Sequence, residues 1–392
     1  MKELERYIIS LVKSELNDKS PVPLPDGITY DDIMSFASRN KLDNIVYRSL
    51  SRIYDDFADK YCTVFDQTIM VEAVQQLELD AVIEMFSENR ISHLPMKGSI
   101  LKNMYPMPDM RQQGDIDILV HKKDLIKGRE LLIGLGYTFK EHDAYEGHDV
   151  FYKDKIICLE LHGDMLKPAD RGFKRYHDIW GRAYKREGSE YCYGIPKEDI
   201  YIFMMLHLIK HLTEGGAGIR MLIDIWLMDE KWGHELNYKS IEKYASKIGV
   251  LKAFNNIREI ADFWFGNSQV ISSSAEKLGE YILNSDIYGS KDEKHFIEYS
   301  RYEGMDRSAW ARFKNAFFRV FKRYNLMRKE YDVLNKYPWL LPIMWVHRLF
   351  RIVFTQREKI TDTHAEYAGI DKEKLEAAIE YNKQLKALVG VE

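Results

Sequence analysis

Cysteine is scarce: Cys62, Cys158 and Cys192 are the only three in 392 residues, far apart and with no CxxC pair. That excludes a disulfide framework, a cysteine zinc site and a thiol redox motif, and it fits a reducing compartment. Proline (10) and glycine (23) are too few for a collagenous, low-complexity or mostly disordered chain, and 45% hydrophobic with 30% charged residues is a globular composition. No long apolar run is present: the most apolar late stretch, Leu340 to Phe354, is interrupted by Pro342, His347, Arg348 and Arg351 and is too short to cross a bilayer, so no transmembrane span is expected. The N-terminal Met1-Lys2-Glu3-Leu4-Glu5-Arg6 lacks the layout of a signal peptide, and a cytoplasmic protein is expected. Net charge is close to zero, 57 Lys and Arg against 61 Asp and Glu, which alone favours neither a nucleic acid nor an acidic partner.

A chain of this length can bury a sizeable core in two or three domains. Residues 1–92 carry helical periodicity, for example Leu77, Ala81, Ile83 and Phe86, with the Pro-rich PVPLPDG at 21–27 as a connector. Over residues 93–195 the period changes. HLPMKG and IDILV read as short buried strands, KKDLIKGRELLIGLG as a helix stopped by glycine, and VFYKDKIICLELH as a hairpin turning at Lys153-Asp154. Residues 196–392 are helical again, without an internal repeat. The expected order is helices, a small α/β core, then more helices.

Charge is polarised late in the chain, where residues 306–357 hold twelve Lys or Arg against three Asp or Glu. Trp310, Phe313, Phe317, Phe318, Phe321 and Tyr324 interleave with the basic residues. Two readings stay open: a contact surface for nucleic acid or an anionic membrane, or a solvated basic face over aromatic core positions.

The segment that points to chemistry is MKGSILKNMYPMPDMRQQGDIDILV, Met96 to Val120. Side chains alternate along a strand, so Asp115 and Asp117 project to one face while Ile116 and Ile118 enter the core. Like charges so close repel, and a hard cation such as Mg²⁺ between them resolves the conflict. Glu160, in IICLELH, lies on a later strand whose alternate residues can face the same cleft. Three carboxylates can hold two ions, and two ions can clamp a phosphoryl transfer, one activating the attacking oxygen and one steadying a leaving pyrophosphate. Gly98 lets backbone approach a phosphate, Ser99 offers a hydroxyl and an amide at the start of the next helix, and Lys97 and Arg111 can neutralise a triphosphate.

Gly98-Ser99, fifteen intervening residues and Asp115-Ile116-Asp117 resemble the signature of the DNA polymerase beta type nucleotidyltransferases. More narrowly, KGS, MYPMPDMRQQGDIDILV and LELHG are similar to the bacterial branch of uncharacterised nucleotidyltransferases. The resemblance spans about seventy residues, His93 to Gly163, and its spacer is longer than the commonest arrangement. It implies an α+β fold, a small mixed-sheet palm at 93–195 flanked by helical regions at 1–92 and 196–392. It further implies two Mg²⁺ ions, with Mn²⁺ as a substitute, bound by Asp115, Asp117 and Glu160, and transfer of a nucleoside monophosphate from an NTP to an acceptor hydroxyl. Glu160 would hold the activating metal and take the hydroxyl's proton, and Ser99 and Lys97 would grip the β and γ phosphates. The acceptor is left open among small molecules, RNA and protein, the basic segment leaning towards RNA.

His207 and His211 fall on one helix face but lack the glutamate of HExxH, and the glycines 215, 216 and 218 lack the ending of a phosphate loop, which leaves a turn between helices. Families of this kind pack a helical domain against the palm and take base or ribose contacts from it, so Lys210, His211, Arg220 and Asp224 are candidate nucleotide contacts, with helix-packing ion pairs as the alternative. His162 shares a strand face with Glu160, near the metals or bound to a backbone carbonyl. Two rival readings remain: a non-catalytic scaffold that keeps the fold and works through its helical arms, and a kinase, against which stands the lack of kinase motifs.

Overall fold

The structure is a computed structural model and describes residues 1–143, 147–154, 156–214, 216–284, 324, 327, 331, 333–355, 380 and 383–390. Met1–Lys294 with Gln384–Glu392 make one compact unit and His295–Lys383 a second.

The first unit opens with four helices, α1 (Glu3–Leu16), α2 (Tyr30–Asn40), α3 (Asp43–Leu50) and α4 (Asp55–Glu88). Thr29 starts α2 with a capping box, its hydroxyl accepting from the Asp32 amide while the Asp32 carboxylate accepts from the Thr29 amide. In α4 the stripe that turns inward towards the sheet is Gln75, Leu79, Val82 and Phe86, at the four- and three-residue steps of one helix face. Leu77, expected on that stripe, lies on the other side and is 68% exposed.

The sheet follows: β1 (His93–Pro95), the single-turn α5 (Gly98–Leu101), β2 (Ile116–Val120), α6 (Leu125–Gly134), β3 (Thr138–Asp143), β4 (His148–Lys153) and β5 (Ile157–His162). The strand order is β1-β2-β5-β4-β3, mixed because β2 and β5 run parallel while the other pairs are antiparallel. Pro95, which cannot donate to a ladder, sits on the edge strand β1. The hairpin between β4 and β5 turns through Asp154 at φ +52°, as the sequence led one to expect. The edge strand β3 was not foreseen.

One sheet face is apolar. Ile116, Ile118, Val120, Phe151, Leu159 and Leu161 pack with Leu79, Val82 and Phe86 of α4 and Leu132 of α6. Gly128 permits the approach of α6, since a β-carbon there would stand 3.0 Å from Leu161 Cδ2.

After the single-turn α7 (Phe173–Tyr176) and a small two-stranded ladder, β6 (Tyr184–Lys185) with β7 (Tyr193–Gly194), come α8 (Lys197–Glu214), α9 (Ile219–Trp232), α10 (Tyr238–Lys247), α11 (Leu251–Phe265) and α12 (Ser273–Asn284). The larger core joins helices from both ends of this unit: Ile8, Leu11 and Val12 of α1 and Ile45 and Val46 of α3 share it with Leu208, Leu222, Ile225, Ile257 and Ile260, and with Leu94 and Leu119 from the sheet's other side.

In the second unit the described elements are helices Val333–Lys336 and Leu341–Thr355 with a 3₁₀ turn at Pro338–Leu340. The aromatic run Trp310 to Phe321 of the basic segment lies outside the described residues. Among the described residues no helix is long and apolar enough to cross a membrane.

Candidate active site

Strand register brings the acids together. Asp117 on β2 and Glu160 on β5 are direct partners across the parallel pair, so both point to the face opposite the apolar one, and Asp115 lies one residue before β2. One oxygen from each of the three carboxylates lies within 4.8 Å of the others. The strand alternation expected from the sequence is met at Ile116 and Ile118, both 0% exposed in the core.

Cations hold this buried charge in place. Lys97 Nζ donates to Asp117 Oδ1 at 2.6 Å, and His162 Nε2 donates to the same oxygen at 2.9 Å. His162 Nε2 also lies 3.4 Å from Glu160 Oε2, and His148 Nε2 lies 3.3 Å from Glu160 Oε1. Among the described residues His162 thus bonds to carboxylates and not to a backbone carbonyl.

The protonation states follow from these contacts. Burial, then the charge of Asp117, pushes Asp115 up to about 6, against the pull of Lys97. Burial also opposes ionisation of Asp117, yet Lys97 and the hydrogen bond from His162 outweigh it and hold Asp117 below the ordinary carboxylate range. For Glu160 burial is likewise overcome, here by hydrogen bonds from His148 and His162, which keep it far below that range. Burial disfavours the cations of Lys97 and His162, but the carboxylates raise both above their ordinary values.

Lys97 has φ +46° and ψ −117°, a conformation that L-residues rarely adopt and that persists where surroundings enforce it. Next to it, Gly98 is required by close approach: a β-carbon would meet the Gln113 side-chain oxygen and stand 2.6 Å from Arg111 Nη1. Ser99 Oγ and both side-chain amide atoms of Gln113 are buried with no hydrogen-bond partner among the described residues. Two expectations change here. The helix after Ser99 is a single turn, and the Ser99 amide, expected to face an anion, donates to Met96 O at 3.2 Å.

Arg111 and Asp224 meet each other. Arg111 Nε and Nη2 donate to Asp224 Oδ1 and Oδ2 at 2.7 and 2.8 Å, and Tyr105 Oη donates to Oδ1 at 2.8 Å. Asp224 is 0% exposed, so this bidentate pair satisfies a charge that would otherwise be costly to bury. Arg220 Nη1 donates to Gln112 O.

A cavity of about 440 Å³ opens over the carboxylates. Of the residues expected from the sequence, Lys97, Gly98, Arg111, Asp115, Asp117, Glu160, His162, His207, Lys210, His211, Arg220 and Asp224 line it, and Ser99 does not. Sequence reasoning passed over Gln113, His148, Lys167, Asp170 and Arg171, which also line it. His148 becomes visible only once the β4–β5 register is known, and Lys167 and Arg171 sit in a loop with no periodic signal. His207 stacks edge-on against His211, ring centroids 4.5 Å apart, and burial, then His211, holds it well below the ordinary histidine range.

The donor chemistry fits a hard divalent cation, because oxygens of three carboxylates converge within 4.8 Å and line a cavity that the unpartnered amide of Gln113 lines too. No curated protein and no solved structure gave a significant match to the chain. Residues 26–266, which span α2 to α11 and so include the sheet, all three carboxylates and the helices that wall the cavity, match the model of a family described as uncharacterised nucleotidyltransferase, and the chain belongs to that family.

Proposed function

We propose that this protein moves a nucleoside monophosphate from an NTP to an acceptor hydroxyl and releases pyrophosphate, with Asp115, Asp117 and Glu160 holding Mg²⁺, two ions, or Mn²⁺ in its place. The observation that carries this reading is the convergence of three carboxylates within 4.8 Å at the wall of a cavity of about 440 Å³, beside Lys97 and Gly98. The bound metal would supply charge neutralisation at the phosphates and acidify the attacking hydroxyl. In the step itself, the acceptor oxygen bonds to the α-phosphorus as the bond to the pyrophosphate oxygen breaks, and the hydroxyl proton leaves to solvent.

The chain's residues position the reactants. Lys97, held at Asp117, brings the positive charge nearest the phosphates, and the buried Ser99 hydroxyl, which has no partner among the described residues, becomes a phosphate donor only if the segment after Gly98 shifts on binding. Gly98 keeps backbone accessible. Glu160, kept ionised by His148 and His162, suits a metal ligand better than a proton acceptor, because a base held so far below neutrality draws a proton weakly. Lys210, His211 and Arg220 face the same cavity as contacts for the nucleotide, while Arg111 and Asp224 support its wall through their mutual pair. RNA is the acceptor that the charge of residues 306–357 suits best.

Calorimetric titration of the four NTPs with Mg²⁺ into wild type and Asp115→Ala/Asp117→Ala tests the reading. At least one NTP should bind wild type only with the metal and fail to bind the double variant. Absence of binding of every NTP by a folded wild type would overturn it.

A further inference from the structure

The face that carries the carboxylates also carries two imidazoles, and these form a separate donor cluster around Glu160. We infer that His148, Glu160 and His162 make a binding site for one transition-metal ion of the zinc class, distinct in chemistry from the all-carboxylate set.

Three observations carry it. First, register: His148 on β4 pairs with His162 on β5, and Glu160 lies two residues before His162, hence on the same side. The donors stand on adjacent strands of one sheet and not on loops, so their spacing is fixed by the ladder. Second, distance: Nε2 of His148 is 3.3 Å from one Glu160 oxygen and Nε2 of His162 is 3.4 Å from the other, with the donor atoms of all three within 4.8 Å. Ligands about 2.0–2.1 Å from a tetrahedral ion stand about 3.3–3.4 Å apart, and each imidazole already lies at that distance from one oxygen of the Glu160 carboxylate, so a small turn of that carboxylate brings a single oxygen to both. Third, donor type: two imidazoles and a carboxylate suit zinc, whereas magnesium and manganese prefer oxygen. The side chains are sheltered, those of His148 and His162 being 7% and 10% exposed.

Binding exchanges the hydrogen bonds that Nε2 of His162 gives to Asp117 and Nε2 of His148 gives to Glu160 for metal bonds, and each Nε2 proton passes to solvent or moves to Nδ1 of its own ring. Glu160 is shared between this ion and the carboxylate set, so the two sites lie side by side. The inference does not need nucleotidyl transfer to occur, because zinc binding is read without nucleotide.

The test is a chelator-competition titration of metal-free protein with Zn²⁺, on wild type, His148→Gln and Asp115→Asn, with folding checked by circular dichroism. Wild type should take one Zn²⁺ that His148→Gln binds on the order of 100-fold more weakly. Asp115→Asn should keep that zinc within a few-fold while losing Mg²⁺-dependent NTP binding, which separates the two sites. Equal zinc affinity in wild type and His148→Gln would overturn the site. Should His148→Gln fail to fold, X-ray absorption at the zinc edge of the wild-type complex decides: two imidazoles in the shell support the inference, and an all-oxygen shell refutes it.

Discussion

The two faces of the five-stranded sheet are built from the same strands and carry different chemistry at β2 and β5. On β2 and β5, Ile116, Ile118, Leu159 and Leu161 enter a dry core under α4 and α6, while Asp117, Glu160 and His162, their immediate neighbours in sequence, line a polar cavity. A period of two residues separates stability from chemistry within ten residues of strand. The apolar face can therefore hold the acids of the other face in fixed register although those acids repel one another.

If that division holds, damage to one face should be read differently from damage to the other. The largest effect is expected from Asp117→Asn: circular dichroism should report a folded protein, while Mg²⁺-dependent transfer falls by roughly a thousandfold, the several kcal/mol that metal-mediated charge stabilisation supplies. Asp224→Ala leaves the Arg111 guanidinium buried without its partner and should cost about 3–5 kcal/mol in denaturant unfolding, more than expected for a ligand-contacting surface residue. Leu161→Ala, on the apolar face, should cost about 2–5 kcal/mol of stability while the folded fraction keeps its NTP affinity, which sharpens the contrast with Asp117→Asn. Gly98→Ala should weaken Mg²⁺–NTP binding about tenfold and also lower the unfolding midpoint, by less than Asp224→Ala does, because the added carbon crowds the buried Arg111 guanidinium and the Gln113 amide without removing the Asp224 carboxylate.

A smaller effect concerns pH. His207 faces His211, Lys97, Lys210 and Arg220, and burial followed by His211 keeps it neutral in the fold. The unfolded chain takes up a proton there as pH drops through the ordinary histidine range and the folded chain does not, so stability falls in that direction. Thermal melts at pH 7 and pH 5 should show a smaller drop for His207→Gln than for wild type.

Much of the site was legible because its motifs are local. Lys97, Gly98, Asp115 and Asp117 lie within about twenty residues, and alternation alone assigns the two acids to one face, whereas Ser99, read from the same motif, does not line the cavity. Glu160 could be assigned because LELH reads as a strand. What long-range pairing decides could not be read: the bidentate bond between Arg111 and Asp224, 113 residues apart, is visible only in the fold. The strand β3, TFKEHD, has a single large apolar side chain and the charges of an exposed edge, so it carries no core-strand pattern. Leu77 misled because an isolated apolar residue on a long helix fits more than one stripe, and the buried one passes through Leu79, Val82 and Phe86.

The most direct test of the central claim uses NTPs labelled either at the α- or at the γ-phosphate, incubated with Mg²⁺, a cell extract as the source of acceptors, and either wild type or Asp117→Asn. Label from the α-phosphate should appear in an acceptor with wild type and be lost with Asp117→Asn. Transfer of γ-label, or α-label transfer undiminished in Asp117→Asn, would contradict the assignment of the carboxylate face as a nucleotidyl-transfer centre.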